Sequence, residues 1–183
     1  AEVDTMTRSL LARLREFRRK EDGVAAFEFT LVFPVVLFMF IWAVELGLIM
    51  TKSVMLEHAL DVTLRNLRLG VLENPTADRL KQEICDRARI IAECRETITI
   101  ELQPISTENW IMPAEPVACV DRDEDIEPVV SFNMGAQNEI MLVRACVIIE
   151  PNFPGTGIGA MLQKDGDGGF GMAAVSAFVN EPS

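Results

Sequence analysis

Residues 23–50 read GVAAFEFTLVFPVVLFMFIWAVELGLIM. From Phe29 to Val44, 16 consecutive residues carry no charge; Glu45 follows, and five more uncharged residues run to Met50. At about 1.5 Å of rise per residue, a helix from Phe29 to Met50 spans about 33 Å, enough for the ~30 Å hydrocarbon layer of a bilayer. Aromatic and branched side chains lie all round this helix. A buried helix of a soluble domain seldom stays apolar on every face for this long. The stretch therefore reads as a transmembrane helix over residues 24–50.

The flanks give it a direction. Arg13, Arg15, Arg18, Arg19 and Lys20 precede it, whereas only Lys52 follows before Arg65. The positive-inside rule keeps residues 1–23 in the cytoplasm and exports residues 51–183. A cleavable secretory signal would have a shorter apolar core followed by a small-residue A-x-A site, and neither is evident, so the helix stays as an anchor.

Three residues inside the stretch call for a reason. Pro34 removes a helix hydrogen bond and is expected to kink the helix. Glu28 lies one turn from the cytoplasmic edge and Glu45 one turn from the far edge. A carboxylate at mid-membrane costs about 2.5–3.5 kcal/mol, less near the ends. Both side chains can snorkel to the interface; Glu28 also stands at the fifth position after Gly23.

That junction resembles the processing site of type IV prepilins, in which a peptidase cuts after a glycine and a glutamate occupies position five of the mature chain. The matching features are the basic leader, Gly23, Val24, Glu28 and a proline further along. The longer pattern GVAAFEFTLVFPVVL, then VELG, then LEHAL, is similar to the TadE-like pseudopilins of the tight-adherence (Flp) type IV pilus system. The ending Phe178, Asn180, Glu181, Pro182 resembles the F-x-N-E-P close of such proteins. The resemblance covers residues 18–70 and the last six or so. It implies a minor pseudopilin acting in pilus assembly, cut by a prepilin peptidase after Gly23, with Glu28 contacting a neighbouring subunit. It further implies an inner-membrane, single-pass protein with its bulk in the periplasm, retained in the membrane or built into the filament. Its partners would be membrane lipid, the prepilin peptidase, other pilin-like or pseudopilin subunits and the assembly platform.

Beyond the anchor, 133 residues remain, enough for one small domain. Residues 51–183 hold 11 basic and 21 acidic residues, a net charge of −10. Such a domain is a poor match for nucleic acid or for anionic lipid. All four cysteines, Cys85, Cys94, Cys119 and Cys146, fall in this part, and an even count on the oxidising side of a membrane favours disulfides. Three pairings are open. Cys85–Cys94 with Cys119–Cys146 is preferred, the first pair being local and similar to the family, the second able to join neighbouring strands.

The helical pattern continues past Met50. Leu56, Leu60, Leu64 and Leu67 recur every three or four residues until Gly70, a helix end. One helix of about 45 residues is expected, its exported half amphipathic. Thr76 is a candidate N-cap for a second helix from Ala77 to about Ala92, with Leu80, Ile84, Ala88 and Ile91 as its stripe. Residues 97–103, TITIELQ, alternate as a half-buried strand. Val117–Val120 and Val129–Phe132 are candidate short strands. Ile140–Ile149 is the strongest strand, with Met141, Val143, Ala145, Val147 and Ile149 on one face. Residues 151–169 read as loop and Met172–Asn180 as a last strand. The order predicts an α+β fold: a long N-terminal transmembrane helix continuing as the spine of a small periplasmic domain, with a second helix and an antiparallel sheet, pilin-like in plan.

Enzymatic signals are weak. Gly155-x-Gly157-x-x-Ala160 has dinucleotide-loop spacing, but no βαβ unit surrounds it. Asp121, Asp123 and Asp125 alternate like a calcium loop, yet Ile126 stands where glycine is needed and Phe132 where glutamate is. His58 is the sole histidine, and C-x-x-C is absent. No cofactor, metal or catalytic residue is expected. A second reading is a single-pass, membrane-anchored periplasmic binding or sensor domain, which would need no glycine–glutamate junction.

Overall fold

A computed structural model describes residues 24–72, 75–110, 112, 117–120, 122, 130–155 and 157–180. The fold is α+β. Helix α1, Val24–Arg68, holds 45 residues without a break, Pro34 included. The chain divides after Ala43 into two compact units.

In the first unit the described part of α1 is exposed on every face. Each large apolar side chain from Phe27 to Phe40 is exposed, and Phe29 stacks on Phe33 at 5.0 Å between ring centroids. By length and composition α1 is able to cross a membrane. The proline nitrogen of Pro34 has no hydrogen to give the Thr30 carbonyl one turn back. In the same turn, the Thr30 hydroxyl donates to the Ala26 carbonyl at 2.7 Å.

In the second unit α1 changes character. Leu56, Ala59, Leu60, Thr63, Leu64 and Leu67 recur at helical spacing and are buried. The helix stops where the sequence supplies Gly70, whose φ of +68° is the left-handed turn that closes a helix; the Gly70 amide donates to the Leu67 carbonyl and that of Val71 to Asn66.

Helix α2, Ala77–Arg87, starts on the Thr76 hydroxyl, which accepts from the Arg79 amide at 3.2 Å. Leu80, Ile84 and Cys85 form its buried face. It ends four to five residues earlier than the periodicity predicts. Ala88 turns out of the helix after donating to the Ile84 carbonyl, and Glu93 sits at a left-handed φ of 50°. Ala88 and Ile91 are still buried, so the stripe continues through a turn instead of a helix. One helical turn, α3 at Cys94–Thr97, follows.

Strand β1 is Thr99–Ile105, two residues later than expected, because Thr97 closes the α3 turn by donating to the Glu93 carbonyl. Strand β2 is Ile140–Ile149. A short helix α4, Gly157–Met161, interrupts the expected loop, and β3 is Phe170–Val179. The sheet is antiparallel in the order β1-β2-β3, with Thr99 opposite Cys146 and Ile140 opposite Val179. Val117–Val120 is not a strand, and of Val129–Phe132 the described part makes one bridge, Phe132 to Leu102.

Alternation decides the layers. Ile100 and Leu102 of β1, Met141, Val143, Ala145, Val147 and Ile149 of β2, and Phe170, Met172 and Ala174 of β3 fall on one face. They form a single core with the α1 leucines and with Leu80 and Ile84. On the other face of β1 and β2, Glu101 and Arg144 stand opposite each other and pair as ions.

Candidate functional site

Two places hold chemistry-bearing residues. The first is the start of α1. Gly23 lies outside the described residues. Val24 opens α1, and Glu28 lies one turn further on, exposed, with no ion pair or hydrogen bond among the described residues. A peptide bond beside Gly23 would stand just before a helix whose surface is apolar, with one carboxylate a turn away.

The second surrounds Glu45, which departs from the snorkelling reading. Its side chain is 1% exposed. One carboxylate oxygen, Oε1, accepts from the Asn152 backbone amide at 2.9 Å; Oε2 is buried with no partner among the described residues. Two turns on, the Lys52 ammonium donates to the Glu150 carbonyl at 3.3 Å. Helix α1 thus holds the segment after β2 through polar contacts at both residues. A carboxylate so enclosed is more costly than one that reaches water, and a backbone donor offsets part of that cost.

Beside this segment lies a cleft of about 270 Å³ lined by Lys52, Glu93, Thr97, Arg122, Glu150 and Asn152, among others. Arg122 fills its polar wall. Its guanidinium grips Asp165 through Nε at 2.9 Å and Nη2 at 3.1 Å, and Glu150 through Nη1 at 2.9 Å. Asp165 also accepts from the Gly169 amide at 2.6 Å. The hydrogen bond from Arg122, helped by the Gly169 amide, holds the Asp165 carboxyl below the usual carboxylate range against the opposing effect of burial. The Arg122 guanidinium is raised above its ordinary value, first by Asp165 and then by Glu150. A β-carbon at Gly169 would come within 2.5 Å of Arg122 Nη2, so glycine makes room for the clamp. Arg122, Asp165 and Glu150 neutralise one another here, and among the described residues no nucleophile with an adjacent base is formed.

The cysteines are joined as Cys85–Cys94, 5.6 Å between α-carbons, and Cys119–Cys146, 5.2 Å. The first ties α2 to α3. The second pins Cys119 to β2 at Cys146. Gly171 is needed beneath it, since a β-carbon there would meet Cys119 Sγ at 2.7 Å.

Other candidates from the sequence do not converge. His58 is exposed on α1. Asp121, Asp123 and Asp125 lie outside the described residues, and no group of three potential metal ligands occurs among the described ones. Of the Gly155–Ala160 stretch, Gly157 to Ala160 lie in α4; a β-carbon on Gly159 would meet the Phe153 carbonyl at 2.6 Å, which accounts for that glycine by packing.

Compared with known proteins, residues 23–65 match the model of a family described as TadE-like protein. The match starts at Gly23 and ends in the buried half of α1. No curated protein and no solved structure matches the chain.

Proposed function

We propose that the protein is a minor pseudopilin that acts in assembly of a tight-adherence pilus and is cut by a prepilin peptidase after Gly23. The observation that carries this is the family match, which begins at Gly23 and covers Glu28, Pro34 and Glu45. An apolar helix exposed on all sides suits the reading, because such a surface needs lipid or the same helices of other subunits around it.

In this reading residues 1–23 are a cytoplasmic leader. The membrane span is residues 24–50, which reach about 40 Å as a helix. Residues 51–183 are periplasmic, with the chain held in the inner membrane before assembly. Cleavage leaves a free amine on Val24. An ammonium and a carboxylate are each costly in lipid and much less so as a pair. Within one helix the amine lies at the helix start and Glu28 a turn away, so the pair forms between subunits offset along their axes. Glu28 is the subunit contact, and Pro34 lets the helix bend as it packs.

The test is the N-terminus of the protein isolated from a host with its peptidase. Val24 is expected as the first residue, 160 residues remaining, and substitution of Gly23 by a bulky residue is expected to block the cut. Glu28→Gln should leave the leader removed yet reduce crosslinking to other pilin-like subunits and pilus number. An intact leader in the native host would sink the proposal.

A further inference from the structure

The two long edges of the sheet differ. On β1 the backbone of Leu102 is taken: its amide donates to the Ser131 carbonyl at 2.9 Å and its carbonyl accepts from the Asn133 amide at 2.8 Å. The outer edge of β3 has no such cover among the described residues. Asn180 fixes which groups are open. Its amide donates to the Glu139 carbonyl, toward β2. N–H and C=O alternate sides along a strand, so the even-numbered residues of β3 bond β2 and the odd-numbered ones turn their amides and carbonyls outward. Gly171 lies under the Cys119–Cys146 bridge, which leaves Ala173, Val175, Ala177 and Val179.

The protections usual on an exposed edge are missing. Over Phe170–Val179 no residue is charged and none is proline, and the register with β2 runs without a bulge from Ile149↔Phe170 to Ile140↔Val179. Val175 is 59% exposed and Val179 46%. Beside the edge, α1 and β3 enclose a groove of about 510 Å³, lined by Leu64, Arg65, Arg68, Leu69 and Phe178, with Asp61 held by the Ser176 hydroxyl at 2.9 Å. Arg65 stands at its rim in a chain whose formal net charge is −11.

We infer that the β3 edge adds an extended strand from a partner protein, and that this strand carries a carboxylate where it passes Arg65. An extended backbone can take the place of water at all four outward-facing residues at once, and the small outer side chains let it approach. A second copy of β3 fits less well, because FGMAAVSAFV holds no acidic residue to meet Arg65. The proposal goes beyond pilus membership and stands on the domain alone.

The experiment is hydrogen exchange on the full chain in detergent, with and without a probe peptide. The probe is a short peptide of alternating valine and threonine with one glutamate, N-methylated along one edge so that it cannot stack on itself. The amides of Ala173, Val175, Ala177 and Val179 should exchange fast in the protein alone and slowly with the peptide. Val175→Pro removes only an outward amide, so the domain stays folded while affinity drops about tenfold. Arg65→Glu should lower affinity about threefold and invert the preference toward a lysine-bearing peptide. Exchange unchanged by the peptide overturns the inference. So does concentration-dependent protection without the peptide, which would assign the edge to a second copy.

Discussion

Glu28 and Glu45 stand 17 residues apart on one helix and differ in burial. Glu28 is exposed on a segment that no described part of the chain covers. Glu45 is enclosed, bonded to an amide 107 residues away in sequence. Hydropathy treats the two alike, as charges near the ends of an apolar stretch. The difference teaches that the end of the apolar run and the start of the domain overlap: the domain's core claims α1 from Glu45 onward, where the sequence is still apolar enough for lipid.

The contrast can be broken by matched substitutions on either side of Ala43. The largest effect is expected in the buried stripe. Leu60→Ala should destabilise the domain by about 2–5 kcal/mol, whereas Phe33→Ala should change it by less than about 0.5 kcal/mol. Exchange of the β2 amides in the full chain reads both. Equal losses would mean that the two halves of α1 are not distinct.

Next comes the Cys119–Cys146 bridge. Replacing both cysteines by serine should cost about 2–4 kcal/mol, from the freedom restored to the unfolded chain. It should also loosen the Arg122–Asp165 clamp, visible as faster exchange at the Gly169 amide.

Smaller again, Glu45→Ala should cost about 1 kcal/mol through the lost bond to Asn152. The Asn152 amide should then exchange faster, and Glu28→Ala should leave it unmoved. A domain unaffected by Glu45→Ala would remove the polar seam from the comparison.

The smallest effect is a pH dependence. Asp165 has its carboxyl held below the ordinary value near 3.9, so its contribution is full above that value and disappears as pH falls through the depressed one. Asp165→Asn should lose stability at neutral pH and show a shallower decline in acid than the unaltered chain. Parallel stability curves from pH 7 to pH 2 would show that the clamp adds nothing.

Local pattern carried much of the fold. The alternation at Met141–Ile149 set β2 to its observed ends, and leucine spacing with Gly70 set α1 to its length. Both are signals within one element. The end of α2 was not legible because Ala88 and Ile91 keep the helical stripe while lying in a turn stapled by Cys85–Cys94. The clamp of Arg122 on Asp165, the bond from Asn152 to Glu45 and the cover that Ser131 and Asn133 give to Leu102 join residues distant in sequence, with no periodicity to announce them. Of the first site, Val24 and Glu28 lie on α1, and Gly23 lies outside the described residues.

The two bridges also make the domain a recorder of its own history. Cys119 and Cys146 are 27 residues apart, and both pairs need an oxidising compartment to close. A chain whose residues 51–183 had been left in the cytoplasm would keep four reactive thiols; a chain delivered across the membrane keeps none. In the proposed topology, alkylating whole cells before lysis therefore turns thiol count into a readout of which side of the membrane the domain reached.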